Sequence, residues 1–295
     1  MLPHLRQLES EAIGIIWECM AAARKPVLLF SGGKDSTVLA HLVLRAFHPG
    51  PPPIPLLHVD STWEFADVVA FRDDFARRHC FQLHVHANED GRRRGLNPID
   101  HGAIYTNEMR TGALRQALDQ GGYDFILGGA RRDEEASRAK ERIFSVRNRG
   151  HVWEPRQQRP ELWRLYNGNV DPGQSIRVYP LSNWTEEDLW LYILEAGLEL
   201  APLYYAAERD VVDVDGMLIV LDEPDRLPQF AALERKRERV RFRTLGCWPV
   251  TGAIVSDAAD TRSVLMETLN SQLSERMGRV SDEGSLEAQK RQGYF

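Results

Sequence analysis

The chain has 295 residues, 43% of them apolar, and a net charge of −6. This length predicts about two domains, and the acidic balance argues against a general nucleic-acid binder, which would be basic. No apolar run is long enough to cross a membrane. The cysteines at 19, 80 and 247 lack the CxxC spacing of zinc sites and support no disulfide framework, so we expect a reducing, cytoplasmic location.

Strands and helices alternate through the first half of the chain. Short apolar runs predict strands, and stretches with apolar residues on one helical face predict helices. Alternation of this kind predicts an α/β fold, with a doubly wound, mostly parallel sheet and helices on both faces. The predicted elements are a helix at 3–24, a strand at 27–30, a helix at 36–47, a strand at 55–60, a helix at 65–79, a strand at 81–87, a helix at 107–119 and a strand at 123–130.

The pattern changes after Ile143. Residues 151–175 are polar, proline-bearing and irregular, although their tryptophans argue against disorder. A strand at 175–181 and a helix capped by Thr185 follow. Further along, a hairpin turning at Asp215 and Gly216 precedes a predicted charged helix around ERKRER. We therefore place a boundary near residue 200, with an irregular α+β region at 201–295.

The segment SGGKDS, residues 31–36, joins the first strand to a helix. Ligands of open parallel sheets bind at the carboxyl ends of the strands, where helix N-termini favour anions. Gly32 and Gly33 permit close approach of a ligand, while Ser31, Lys34 and Ser36 add donors and positive charge. The pattern is neither a Walker A loop nor a GxGxxG fingerprint. It predicts phosphate binding; the alternative is a plain connection between strand and helix.

SGGKDS resembles the PP-loop of the ATP pyrophosphatase superfamily, whose usual form is SGGxDS. Members of that superfamily cleave ATP between the α and β phosphates, and their loop holds the departing pyrophosphate. The resemblance implies a nucleotide-binding domain at 1–200, with Mg²⁺ accompanying ATP near Asp35 and Asp60. It also implies that the ATP phosphates contact Ser31, Gly32, Gly33, Lys34, Asp35 and Ser36.

Asp60 ends the second predicted strand. Its carboxylate there suits ribose hydroxyls or a metal, and the alternative is a cap for the following helix. The PP-loop resemblance implies that the nucleoside contacts His58, Asp60, Gly128 and Gly129. His58, like His84 and His86, also fits a buried or edge histidine, since no cluster of ligating side chains accompanies these three in sequence.

The segment GGARRDEEASRAKER, residues 128–142, follows the fourth strand. Guanidinium groups there suit phosphate or sulfate, and Arg138 and Arg142 are spaced to share a helix face. The alternative is a surface helix whose acidic residues pair with Arg138. After a glycine turn in a PP-loop protein, we favour the oxyanion contact. The predicted catalytic residues are Lys34, Arg131, Arg132 and Arg138, and the candidate sulfate ligands are Arg131, Arg138, Arg241 and Arg243.

Several long segments extend the resemblance nearly end to end. GGARRDEEASRAKER, QRPELWRLYNG, RVYPLSNWTEEDLW, VRFRTLGCWPVTGA and KRQGYF resemble the small subunit of bacterial heterodimeric sulfate adenylyltransferases. The resemblance implies transfer of AMP from ATP to sulfate, which gives adenosine 5′-phosphosulfate and pyrophosphate. It also implies an elongation-factor-like GTPase subunit as partner. One departure is Gly32, where the family loop, SxGKDS, has a bulkier residue.

Two other PP-loop activities compete with this interpretation. A reductase of adenylyl sulfate or phosphoadenylyl sulfate needs a cysteine nucleophile, usually on a C-terminal tail, and the last 15 residues here contain none. Cys247, next to Trp248, better fits a buried structural cysteine. A tRNA-thiolating enzyme would need paired cysteines and a basic face. An idle scaffold is disfavoured by the intact loop. Candidate docking surfaces for a partner are residues 151–175 and the C-terminal region, because exposed aromatic residues often mark interfaces.

Overall fold

The computed structural model describes residues 1–270. The last part of the predicted 201–295 region, including KRQGYF, lies outside the described residues. Within the described part, no helix combines the length and apolar character needed to cross a membrane.

A six-stranded sheet forms the centre of the described part of the molecule. Its strands are β1 (Pro26–Leu29), β2 (Leu56–Val59), β3 (Leu83–His86), β4 (Phe125–Leu127), β5 (Phe144–Arg147) and β6 (Ser175–Val178). They lie in the order β3-β2-β1-β4-β6-β5, and every neighbouring pair is parallel except β5 and β6. The predicted mostly parallel α/β sheet is therefore confirmed.

Helices cover both faces of this sheet, because successive side chains of a strand point to opposite sides. Leu28 of β1 packs in one core with residues of the first two helices, and Val27 packs in the other with α6. The helices are α1 (Pro3–Ala22), α2 (Lys34–Phe47), α3 (Ala66–Arg78), α4 (Glu89–Arg93), α5 (Pro98–Tyr105), a π-helix (Thr106–Gly112), α6 (Ala113–Gly121), α7 (Ala136–Ala139), α8 (Glu186–Ala196) and α9 (Thr261–Asn270).

The second half of the chain adds an antiparallel sheet in the order β10-β9-β7-β8. The predicted hairpin joins β7 and β8, the two strands of this sheet that come first in the chain, and Asp215 and Gly216 both have positive φ in the turn. Helix α9 returns to the first core, where Val264 is buried. The boundary near residue 200 therefore stays a prediction. The strands are β7 (Ala207–Val214), β8 (Met217–Val220), β9 (Lys236–Arg241) and β10 (Ile254–Val255).

The predicted charged helix around ERKRER is wrong, because this segment forms most of strand β9. β9 pairs along its length with β7, so Arg237 lies opposite Asp210 and forms an ion pair with it. All six residues of ERKRER are charged, so the alternation of apolar and polar residues that predicts a strand is absent from this segment. The segment becomes a strand because it pairs with β7, which is distant in sequence.

Three other predictions concern the chain between β4 and the start of α8. The helix predicted as an alternative for 128–142 is limited to α7, and Arg142 lies beyond its end. Residues 151–175 are irregular as predicted, with short 3₁₀ turns; Trp153 is buried, whereas Trp163 is 87% exposed. Thr185 caps α8 through a capping box with Asp188, which confirms that prediction.

Candidate active site

A cavity of about 390 Å³ lies at the carboxyl ends of β1, β2 and β4. Its walls come from the 31–36 loop, the π-helix, the turn after β4 and residues 244–251. Among the described residues, four cationic side chains and three acidic ones line it, whereas the whole chain carries a net charge of −6. The local balance is therefore suited to an anionic ligand.

The 31–36 loop, which we call the phosphate loop, leads from β1 into helix α2. Gly32 has φ of +75°, a conformation that a residue with a side chain rarely adopts. The Gly33 N–H donates to the Ser31 hydroxyl, and the Ser36 hydroxyl donates to the Gly33 carbonyl at 2.9 Å. The serine hydroxyls thus brace the loop, which leaves the helix N-terminus facing the cavity.

Lys34 and Asp35 of the loop form an ionic cluster with Arg131, in which both cations are buried and Asp35 is half-buried. The Lys34 ammonium lies 3.1 Å from one oxygen of Asp35, and Nε of Arg131 lies 2.7 Å from the other. Burial alone would raise the pKa of Asp35, but the two cations outweigh it and hold the pKa well below its usual range. Arg131 is fully buried and holds Asp35, whereas Lys34 lines the cavity.

Tyr204 joins the phosphate loop to the second half of the chain. Its buried hydroxyl accepts the Lys34 backbone N–H at 2.8 Å, in the first turn of α2, and its ring packs edge-on against Trp190. Tyr204 was not among the predicted site residues, because 170 positions separate the two partners and no local pattern marks the tyrosine.

The turn after β4 approaches the phosphate loop closely. A Cβ atom at Gly129 would lie 3.0 Å from the backbone of Asp35, so only glycine fits there without a shift of the loop. Gly128, Gly129 and His58 all line the cavity, as predicted for the nucleoside contacts. Whether a nucleoside binds them stays a prediction.

His58 and Asp60 differ in position although they are two residues apart. His58 is buried, and its Nδ1 donates to the Phe30 carbonyl, since a carbonyl oxygen can only accept. Burial lowers the pKa of His58 and favours the neutral ring. Asp60 accepts the Thr62 N–H at 2.7 Å and, among the described residues, is not part of the cavity wall. It does not cap α3, whose N-cap is Phe65.

The predicted arginines separate into two groups. Arg138 lines the cavity and pairs with Glu134. Among the described residues the other four lie outside the cavity wall: Arg131 binds Asp35, Arg132 donates to Asn183, Arg241 pairs with Glu267 and Arg243 pairs with Glu186.

Two further arginines line the cavity and were not among the predicted site residues: Arg110 of the π-helix and Arg177 of β6. A π-helix frequently marks a functional site, but its sequence has no simple signature. Arg177 does carry a signal, because a charged residue in a strand that is buried on both faces needs a specific reason.

Asp35 and Asp60, the two carboxylates predicted near Mg²⁺, have other partners in this structure. Both oxygens of Asp35 already accept from cations, and Asp60 holds a backbone turn. Residues 1–270 contain no group of three or more potential ligands that could hold a metal ion. Mg²⁺ usually keeps several waters and binds through substrate phosphates, which would remove the need for such a group.

Residues 244–251 complete the cavity from the second half of the chain. Cys247 is 2% exposed, and its Sγ lies 3.2 Å from the Ser61 hydroxyl. The predicted burial of this cysteine is confirmed, and it also lines the cavity. Trp248 stacks on Trp63 behind it, which holds the segment in place.

The chain is similar to known proteins along nearly its whole length. A family model described as the phosphoadenosine phosphosulfate reductase domain matches residues 25–253. The chain is 55% identical to a sulfate adenylyltransferase subunit 2 of Alkalilimnicola ehrlichii, over 99% of this chain and 94% of that protein. It is 54% identical to the sulfate adenylyltransferase subunit 2 of Mesorhizobium japonicum, over 100% and 99% of the two chains.

Among solved structures, Candida glabrata FMN adenylyltransferase, in complex with FMN and the ATP analogue AMPCPP, has a TM-score of 0.53 to this chain. The identity is 16%, and the match covers 94% of this chain and 88% of that one, so the likeness concerns the fold. The sequence relatives are far closer. The chain therefore belongs to the phosphoadenosine phosphosulfate reductase domain family and to the sulfate adenylyltransferase subunit 2 enzymes, as the resemblance in its sequence predicted.

Proposed function

We propose that this chain is the catalytic subunit of a sulfate adenylyltransferase and transfers AMP from ATP to sulfate. A sulfate oxygen attacks the α-phosphorus and forms the new P–O bond. The bond from that phosphorus to the bridging oxygen breaks, and pyrophosphate leaves with the electron pair. The observation that carries the proposal is an intact phosphate loop at a cavity with positive local charge, in a chain of this family.

The residues divide between the leaving group and the nucleophile. The N-terminus of α2 and the Lys34 ammonium face the β and γ phosphates and stabilise the charge that develops on pyrophosphate. Arg138 approaches from the other wall, towards sulfate or the α-phosphate, once it exchanges Glu134 for an anionic ligand. His58, Gly128 and Gly129 lie on the nucleoside side. No side chain needs to become a covalent nucleophile, so catalysis rests on positioning and electrostatics.

Mg²⁺ enters this scheme bound to the ATP phosphates, with water completing its coordination. The protein then supplies cationic side chains and backbone donors around the phosphates. The roles first assigned to Asp35 and Asp60 as metal ligands are replaced by structural ones, which the ion pairs of Asp35 and the turn at Asp60 support.

Formation of a phosphosulfate anhydride is uphill, so the reaction needs a second source of free energy. The sequence has no GxxxxGK[ST] motif, and the relatives are named as subunit 2, which supports a partner subunit. We propose an elongation-factor-like GTPase in a cytoplasmic heterodimer. Exposed Leu162, Trp163 and Leu165 make the 151–175 segment a candidate contact for it.

Release of pyrophosphate tests the proposal directly. The rate is measured with and without sulfate, for the chain alone and with the GTPase subunit and GTP, while labelled sulfate reports the adenylyl product. We expect sulfate-dependent release that rises with partner and GTP. Release that ignores sulfate, or that requires another nucleophile, would overturn the substrate assignment.

A further inference from the structure

A second charged cluster lies behind the cavity wall, on the face of the sheet opposite the main core. Arg177 of β6 stands in register with Ser145 of β5, so their side chains share a face. Arg147 and Glu141 pack beside them, and all four residues are nearly inaccessible to solvent, with Arg177 4% exposed. None of these four residues was among the site residues predicted from the sequence.

The cluster contains two guanidinium groups and one carboxylate. Nη2 of Arg147 lies 3.0 Å from both oxygens of Glu141, and the Ser145 hydroxyl donates to the same carboxylate at 2.6 Å. Tyr179 and Glu141 attract Arg177, but burial and the neighbouring Arg147 act more strongly and lower its pKa. Because an arginine side chain stays protonated in proteins, Arg147 and Arg177 both carry a positive charge in a poorly solvated region.

The same cluster reaches the cavity. Arg177 and Tyr179 both line it, and Tyr179 lies against Gly128, where an added Cβ would meet its ring at 3.3 Å. Arg138 faces the cavity from the segment after β4, and Arg110 from the π-helix. Guanidinium groups from three separate elements therefore border one space beside the phosphate loop.

We infer that Arg177 forms the floor of a subsite for a tetrahedral oxyanion, with Arg138 as its second cationic wall. The planar guanidinium fork matches two oxygens of such an anion, and the surrounding burial strengthens the attraction. An anion seated there is also attracted by the neighbouring buried guanidinium group of Arg147. The inference rests on the proposed function in that the two available oxyanions are the sulfate nucleophile and a phosphate group of ATP.

The test is Arg177→Lys, which keeps the charge but removes the fork. With sulfate as the ligand, we expect the KM for sulfate to rise about tenfold while the KM for ATP stays within about twofold. A rise confined to the KM for ATP would assign the subsite to a phosphate instead. Unchanged KM values for both substrates would overturn the inference. Arg209→Lys is the matched control, because Arg209 is a partly buried arginine of the second sheet that donates to the Val240 carbonyl.

Direct binding separates failure of the subsite from failure of the proposed function. The melting temperature is measured against sodium sulfate, with sodium chloride at equal ionic strength as reference. If the wild type makes no adenylyl sulfate, but sulfate stabilises it and the Arg209→Lys protein and not Arg177→Lys, the subsite stands and the reaction assignment fails. If turnover is normal and sulfate stabilises every protein equally, the subsite is wrong.

Tyr179→Phe covers the case in which Arg177→Lys does not fold. It removes only a hydroxyl, which lies 3.4 Å from Nη2 of Arg147 and also contacts Arg177, and it leaves the buried charges unchanged. We expect a smaller rise in the KM for sulfate and a smaller sulfate-induced shift in melting temperature. Wild-type values for both measurements would contradict the subsite.

Discussion

The phosphate loop and the arginine segment at 128–142 both follow a parallel strand, yet their residues behave differently. Of the six predicted loop residues, five line the cavity. Of the three arginines predicted in the second segment, Arg138 alone does so among the described residues. Arg131 and Arg132 instead bind Asp35 and Asn183, which are 96 and 51 residues away in sequence.

The difference shows which features of a site are local. A glycine turn between a strand and a helix is specified within a few residues, through backbone conformation and short hydrogen bonds. The contacts of a long side chain such as arginine depend on which residues from distant parts of the chain pack beside it. A motif therefore locates a binding loop more reliably than it identifies the arginines that contact the ligand.

The largest expected effect comes from Lys34→Ala. Lys34 is the cationic residue of the loop that lines the cavity, and loss of a donor aimed at developing charge typically lowers kcat by about 10²- to 10³-fold. The fold should persist, because Arg131 still pairs with Asp35. Turnover and circular dichroism check this. Near-normal activity would contradict the assignment of residues 31–36 as a phosphate loop, and with it the difference between this loop and the arginine segment at 128–142.

Arg131→Ala should act mainly on stability. Arg131 is fully buried against Asp35, and removing one partner of a buried ion pair costs about 3 kcal/mol of unfolding free energy, at the lower end of the usual range because Lys34 remains. Activity should fall as well, through displacement of Asp35 and the loop. Denaturant unfolding checks the change. A stable but inactive variant would instead support direct contact between Arg131 and the substrate.

The same ion pair predicts a pH dependence. Because the pKa of Asp35 lies below its ordinary value of 3.8, the stabilisation is complete above that value and declines as the pH falls through the lower, folded-state pKa. The difference in unfolding free energy between wild type and Arg131→Ala should therefore shrink below about pH 4. Urea titrations at several pH values measure it. A constant difference would mean that Arg131 stabilises through packing.

Sequence patterns sufficed for most of the fold and for part of the site. Continuous apolar runs located the parallel strands, and SGGKDS located the phosphate loop, because both are local. Strand β9 was missed because its charged residues hide any period, and only β7 defines it. Tyr204 was missed because its partner is 170 residues away. These errors all concern contacts that exist only after distant segments pack together.

Tyr204→Phe tests a distant contact of the phosphate loop, and its effect should be smaller than those of Lys34→Ala and Arg131→Ala. The change leaves the Lys34 N–H without its acceptor in the first turn of α2, which should cost about 1–2 kcal/mol of stability and raise the KM for ATP. Tyr205→Phe is the control, since that hydroxyl bonds Thr261 at 2.9 Å. Thermal unfolding and ATP kinetics on both variants decide. Equal effects on the KM for ATP would show that Tyr204 does not act through the loop.

Arg241→Gln should have the smallest effect on catalysis. Arg241 was a candidate sulfate ligand in the sequence, but its guanidinium lies 2.9 Å from Glu267, and the pair joins β9 to α9. Glu267 is partly exposed, so loss of the pair should cost about 1 kcal/mol or less, although the buried stem adds a packing term. We expect a lower melting temperature and an unchanged KM for sulfate. A raised KM for sulfate in a protein of normal stability would support the prediction that Arg241 is a sulfate ligand. It would also contradict the conclusion that distant partners determine which arginines contact the ligand.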